Sequence, residues 1–176
     1  QKSSSDDSQF VITKANRPTN DQQKLYLAVA YFTVSIPICM FSKFAYSIFE
    51  KSIADYHVAD DVNQSINNPY PKDQIEHLLY FKNWIDTVQW HLEDIVRDPN
   101  INPLEGIALK RRIDKSNQER TDLVEKIDDY FLEKYKEVVP AIDAKINSES
   151  PAWAIDRLSI LELKIWHMQE EVNRQE

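Results

Sequence analysis

The sequence predicts an all-α protein: a helical bundle of four main helices, with an N-terminal element that it leaves undefined. Three observations support this prediction. From residue 41 onward the apolar residues recur at helical spacings, and no strand-like alternation interrupts them. Prolines and capping residues divide this region into separate helical segments. Gly106 is the only glycine among 176 residues, which argues against glycine-rich phosphate loops, Rossmann turns and nucleophile elbows.

The first predicted helix begins near Met40 and ends near Tyr56. Residues 60–72 follow it and contain Asn67-Asn68-Pro69 and Pro71, which indicate a loop. The apolar residues of the helix follow the i, i+3, i+4, i+7 pattern of a single buried face. They are Phe41, Phe44, Ala45, Ile48, Phe49, Ile53 and Tyr56.

The starts of the other three helices are predicted from capping signals. Asp73-x-x-Glu76 resembles a capping box, and the second helix then runs to about Arg97, before Pro99. Asn102-Pro103 predicts the start of a long third helix that ends near Pro140. Ser150-Pro151 starts the fourth, which is apolar on most sides and is therefore predicted to be central.

Residues 1–39 are predicted to be an extraneous or loosely attached extension, and residues 40–176 the helical bundle domain. The stretch 25–41 carries no charge, but the leader before it is too long and too polar for a signal peptide. It is at the short limit for a membrane span. Residues 1–40 carry a net charge of +1 and the remainder −9. The sequence reaches Glu176 in a helical register, so we expect the domain to be truncated at its C-terminus.

The charge balance and the cysteine content limit which partners and which cellular compartment are expected. Lys and Arg number 21 against 29 Asp and Glu, for a net charge of −8, which argues against nucleic-acid and anionic-membrane partners. Cys39 is the only cysteine, so an intramolecular disulfide and a cysteine-based zinc site are excluded. A reducing compartment suits such a chain, and we expect the protein to be cytoplasmic.

The third helix places polar residues where core is expected. Asn117 and Arg120 fall in the middle of its apolar stripe. Burying an arginine without a negatively charged partner costs several kcal/mol, and loss of one partner of a buried ion pair costs about 3–5 kcal/mol. Arg120 therefore needs a carboxylate from another helix or a bound anion. On the fourth helix, Asp156 is the predicted partner of Arg120, and Arg157 is predicted to meet a carboxylate across the bundle. Lys164 and His167 lie on the same face.

The second helix carries two histidines in its apolar stripe of Phe81, Trp84, Val88 and Ile95. These are His77 and His91, and Asp94 follows His91 at i+3, close enough to fix its tautomer or raise its pKa. Satisfied boundary histidines are the commoner outcome for such positions. No metal or cofactor is predicted, although a single ion held by His77, His91, Asp94 or His167 is left open.

Three stretches of the chain resemble the bacterial domain-of-unknown-function family 4254. They are HLLYFKNWIDTVQWHLEDIVRDP, KRRIDKSNQERTDLVEKID and SPAWAIDRLSILELKIWHM, and the resemblance covers about residues 41–172. It implies a wholly helical protein whose relatives continue into further helices, and it implies no activity. The matching polar residues are His91, Glu93, Asp94, Asp114, Asn117, Arg120, Asp122, Asp156, Arg157, Lys164 and His167.

Two functions are consistent with these residues. The first is a non-catalytic binding or scaffold domain that takes a small anionic ligand, forms a homo-oligomer or binds a helical partner. Asn117, Arg120, Arg157 and Lys164 are its candidate ligand-binding residues. The second is a hydrolase or transferase that acts on a phosphorylated or nucleotide-sugar substrate. Its candidate catalytic residues are His91, Asp94, Asp156 and His167.

Two bundle enzymes are excluded by their missing motifs. Ferritin-like di-metal proteins need Glu-x-x-His pairs, and this sequence has none. Bundle-type nucleotide pyrophosphatases resemble the chain only in Glu119-x-x-Asp122 and Glu125-x-x-Asp128, without the E-x-x-E half of their motif.

Overall fold

The computed structural model describes residues 37–174, with side chains from Phe41 onward. Within this range four helices and no strands are present, which confirms the all-α bundle. The predicted N-terminal extension lies almost wholly outside the described residues. The helices are α1 (Pro37–Tyr56), α2 (Ile75–Val96), α3 (Pro103–Lys134) and α4 (Pro151–Asn173).

Two of the three predicted caps are confirmed. The Asn102 side chain accepts a hydrogen bond from the Leu104 N–H (2.9 Å), and the Ser150 hydroxyl oxygen accepts one from the Trp153 N–H (3.4 Å). The predicted capping box at α2 is wrong. This helix is capped by Gln74, which makes no side-chain cap hydrogen bond. Asp73 therefore lies one residue too early to cap it.

The predicted end of α3 near Pro140 is also wrong, because the helix ends at Lys134. Tyr135 leaves the helical conformation with φ −113° and ψ 15°. Phe131 is the last fully buried residue of the helix, and Val139 is 86% exposed. Helices in proteins depend on packing of an apolar face, and beyond Phe131 there is little left to pack against.

The core is assembled from all four helices. α2 and α4 each pack against the other three, and α2 does so more extensively. α4 therefore contacts every other helix, but it is not covered on most sides as its apolar composition predicts. One face of α4 is buried, but Leu161, Met168 and Val172 are more than half exposed on another. None of the helices within residues 37–174 is long and apolar enough to cross a membrane. The buried core includes Ala45, Ile48, Phe49, Leu79, Trp84, Val124, Ile127, Phe131, Ala152 and Ile155.

Candidate functional site

A buried network of charged side chains joins α2, α3 and α4. Lys82 and Asp86 lie one turn apart on α2, and neither side chain is exposed to solvent. The Lys82 ammonium donates to Asp86 Oδ2 (2.5 Å) and lies 2.7 Å from Asp156 Oδ1 on α4. Ser159 also donates to Asp86 Oδ2 (2.6 Å). Both members of this α2 pair therefore have partners in the bundle interior.

Arg120 completes the network from α3. Its Nε donates to Asp86 Oδ1 (2.6 Å), and its Nη2 donates to Asp156 Oδ1 (3.3 Å). Arg120 is thus paired with carboxylates from two other helices, and one of them is its predicted partner Asp156. Two cations face two carboxylates, so the network is balanced in charge. Such a buried set fixes how the helices align, because removing any one partner leaves a charge uncompensated.

The other predicted ligand-binding residues do not join this network. Arg157 pairs with Glu149 at the surface. Lys164 is exposed and lines a shallow apolar groove along α4. Asn117 is exposed and accepts a hydrogen bond from Gln89 (2.9 Å). The helix turns the neighbouring Ser116 inward instead, so Asn117 does not fill the predicted core position.

A small cavity of about 160 Å³ lies beside Arg120. Asp86, Glu93 and Asp94 line it together with Arg97, so its acidic residues outnumber its basic ones. Since Arg97 pairs with Asp94 and Arg120 with Asp86, the cavity offers little positive charge to an anion.

A second cluster brings together three of the four histidines in the sequence. His57 follows the last turn of α1, His91 lies near the end of α2, and His167 lies near the end of α4. One ring nitrogen of each lies within 4.8 Å of the others. The bundle topology creates this cluster, because it brings the C-terminal ends of three helices together.

The ring nitrogens of this cluster are oriented by their hydrogen bonds. His57 Nδ1 is 2.7 Å from the backbone carbonyl of Ile53, and His167 Nδ1 is 3.2 Å from Glu170 Oε2. Both partners accept, so Nδ1 carries a proton, and Nε2 keeps its lone pair in the neutral form of each ring. In metal-binding histidines, a hydrogen bond from the ring nitrogen that does not bind the metal fixes the tautomer in the same way.

The inward-facing nitrogens have no partners. Nε2 of each of the three histidines is buried and makes no hydrogen bond. Buried polar atoms without a partner are rare and call for an explanation. Of the seven such side-chain atoms found in residues 41–174, five belong to the histidines or to two aromatic neighbours, Tyr56 and Trp166.

Each imidazole is stacked on an aromatic ring. Tyr56 stacks on His91 (5.1 Å between centroids, 18° between planes), and Trp166 stacks on His57 (5.1 Å, 23°). Trp90 stacks on His167 (5.0 Å, 11°). These contacts hold the three rings in place, which is the rigid support that a preorganised binding site needs.

The surroundings of His91 favour its neutral form. Burial lowers the pKa of His91, as do the other two histidines, and Asp60 and Asp94 offset this only in part. Asp60 Oδ1 lies 3.7 Å from His91 Nε2. The predicted orienting residue, Asp94, instead pairs with Arg97 (3.4 Å). A neutral imidazole is the form of histidine that binds metal ions.

His77 is separate from the cluster. Its Nδ1 hydrogen-bonds to the Tyr70 carbonyl (2.9 Å), and its own carbonyl accepts from Asn68 (3.0 Å). His77 therefore ties the loop before α2 to that helix, which is the ordinary structural use of a boundary histidine.

Sequence reasoning missed His57, Lys82 and Asp86. A signal for the last two existed, since they form an i, i+4 pair of opposite charge on a helix with few other charges. His57 lies in no motif and outside any stripe, so its role depends on the packing of α1 against α2 and α4.

Three convergent imidazole nitrogens can hold a transition-metal ion. Zinc is bound by histidine nitrogens at about 2.0–2.1 Å, usually with four ligands in a tetrahedron. Imidazole also suits copper, iron and nickel, whereas calcium and magnesium prefer oxygen. The cluster is thus a candidate zinc site with three ligands from three helices.

The comparisons with known proteins identify one family. A family described as "Protein of unknown function (DUF4254)" matches residues 76–176. This range covers α2, α3 and α4 and includes His91 and His167, whereas His57 precedes it. Among curated proteins and among solved structures, no match to the chain was found.

Proposed function

The chain belongs to the DUF4254 family of proteins of unknown function. For this member of the family we propose that it binds one zinc ion through His57, His91 and His167 in a non-catalytic role. One observation carries the proposal: each of the three histidines offers a ring nitrogen within 4.8 Å of those of the other two, and Nε2 of each ring is buried without a hydrogen-bond partner. Zinc binding accounts for all three at once.

A cation and a water molecule would satisfy these atoms in different ways. His57 and His167 both direct lone pairs into the cluster when their rings are neutral, because Nδ1 of each faces an acceptor. Water can donate to both of these nitrogens, and it can accept from His91 only if that ring carries its proton at Nε2. A zinc ion accepts electron pairs from all three nitrogens and removes the cost of burying unpaired acceptors.

The proposal is tested by measuring zinc in protein purified without an affinity tag. After removal of metal with a chelator, we expect the protein to take up one zinc ion per chain. At a free zinc concentration of about 100 times Kd, binding should stabilise the fold by about 2.7 kcal/mol. Cobalt, nickel and copper titrations in parallel show whether another transition metal is preferred.

Histidine variants locate the ion. We expect His91→Gln and His167→Gln each to weaken zinc binding by about 100-fold or more. His77→Gln is the matched control, because His77 lies outside the cluster, and its zinc affinity should stay unchanged. Circular dichroism establishes that each metal-free variant is folded. An unmodified chain that takes up no transition metal, or variants that bind as well as the control, would refute the proposal.

The hydrolase or transferase alternative needs its His and Asp acid–base groups gathered at one site. Its candidate residues are dispersed: Asp94 pairs with Arg97, and Asp156 is engaged by Lys82 and Arg120. We therefore expect zinc-loaded protein to turn over no phosphate ester, nucleotide or nucleotide sugar. Turnover that His91→Gln abolishes would favour the enzyme instead.

A further inference from the structure

We infer that the carboxylate of Asp60 is the fourth ligand of the histidine cluster, an inference that rests on the proposed zinc function. Asp60 Oδ1 lies 3.7 Å from His91 Nε2. Two ligands of a tetrahedral zinc ion, each about 2.1 Å from the metal, lie about 3.4 Å apart. Asp60 is thus placed almost as a neighbouring ligand of His91 would be. It is not one of the residues whose ligand atoms all lie within 4.8 Å of one another, and its side chain is 57% exposed, so the carboxylate would turn toward the cluster on binding.

The backbone at Asp60 supports a role for its side chain. Its φ is +51°, the only positive value at a non-glycine residue within residues 37–174. The Asp60 N–H donates to the Tyr56 carbonyl (3.0 Å), so this residue closes the last turn of α1 in the left-handed conformation. Glycine is the usual residue at such a position, because it has no Cβ to strain.

The charge of Asp60 is also unfavourable for the helix. The C-terminal end of a helix carries partial negative charge, which repels a carboxylate. The last turn of α1 contains no basic residue to offset this. Both the backbone conformation, which favours glycine, and the position at the end of a helix, which disfavours acid, indicate that the Asp60 carboxylate has a role outside the helix. Binding a positive ion held by the adjacent imidazoles is such a role.

A fourth protein ligand changes the kind of site. Zinc sites with three protein ligands keep a position open for water, whereas sites with four are closed and structural. With Asp60 bound, the ion would tie the loop after α1 to the ends of α2 and α4. The inference therefore assigns a closed His₃Asp centre that holds three helices together and leaves no position for a substrate.

Cobalt substitution tests whether the site is closed. Tetrahedral cobalt absorbs visible light, and added azide changes the spectrum only where an exchangeable water is bound. We expect the spectrum of the cobalt-loaded protein to be insensitive to azide and that of Asp60→Asn to become sensitive. We also expect Asp60→Asn to weaken zinc binding by roughly 100-fold, as for loss of a ligand. The neighbouring Asp61→Asn is the control, since its side chain only accepts from the Asn63 N–H (2.8 Å).

Asp60→Gly separates a metal ligand from a structural residue. Glycine relieves the left-handed backbone, so the metal-free variant should melt at a higher temperature than the unmodified chain, while its zinc affinity should fall. Loss of zinc affinity in His91→Gln together with unchanged affinity in both Asp60 variants would overturn the role of Asp60 and leave the three-histidine site standing. An azide-sensitive spectrum in the unmodified chain would overturn the closed site, and absence of any metal binding would overturn both proposals.

Discussion

Asp86→Asn is the sharpest test of the buried charge network. The Asp86 side chain is fully buried, and its two oxygens accept from Lys82 Nζ (2.5 Å), Arg120 Nε (2.6 Å) and Ser159 Oγ (2.6 Å). Asparagine has the same shape, so the change creates no cavity. It removes one negative charge and puts an amide donor where a carboxylate oxygen accepted.

The expected loss of stability follows from these contacts. After Asp86→Asn, Lys82 and Arg120 share Asp156 as their only carboxylate, and the buried network gains a net positive charge. Removing one partner of a buried ion pair costs about 3–5 kcal/mol. A domain of this size is stable by about 5–15 kcal/mol in total, so the variant should lose a large part of its unfolding free energy.

Urea unfolding followed by tryptophan fluorescence measures this loss, and the slope of the free energy against urea should not change. Asp94→Asn is the matched control on the same helix, because Asp94 is exposed and pairs with Arg97 at the surface. We expect it to cost less than about 1 kcal/mol. If Asp86→Asn were to lose no more stability than this control, the argument that the network holds the helices together would be wrong.

Three further predictions concern single residues outside the proposed zinc site. Burial raises the pKa of Glu162, with only partial relief from the Tyr46 hydroxyl. The stability linked to this carboxyl is therefore present at low pH and is lost as pH rises through the raised pKa. In urea titrations, Glu162→Gln should therefore exceed the unmodified chain in unfolding free energy by more at pH 7 than at pH 4. Ile127→Ala should cost about 2–5 kcal/mol in the same assay, because Ile127 is fully buried and truncation leaves a cavity; a loss below about 1 kcal/mol would contradict its place in the core. Arg157→Gln should cost less than about 1 kcal/mol, since the pair with Glu149 is exposed, and a larger loss would mean that Arg157 has a further role.

Local signals predicted the helices well. Asn102-Pro103 and Ser150-Pro151 begin α3 and α4 as expected, because a cap depends only on residues within one turn of each other. The end of α3 was predicted poorly, since Pro140 only sets a limit on where a helix stops. The observed end at Lys134 depends on where neighbouring helices cease to cover its apolar face.

Part of the buried network could also be predicted. Arg120 interrupts an apolar stripe, and burying a guanidinium demands a negative partner, which Asp156 supplies. Lys82 and Asp86 could not be predicted in the same way, because the periodicity of apolar residues does not show which charged residues face the core. They face inward as a pair at i, i+4, although the apolar stripe of Phe81, Trp84 and Val88 gives no indication of it.

The amino-acid sequence by itself determined the four helices, the caps of α3 and α4, the charge balance and the need for a carboxylate opposite Arg120. These follow from interactions within a few residues or from the cost of burying charge. Only the tertiary structure decided that α2 is central and that His57, His91 and His167 meet. The three histidines are separated by 34 and 76 positions in the chain. No periodicity connects residues so far apart, and their meeting depends on the register in which α1, α2 and α4 pack.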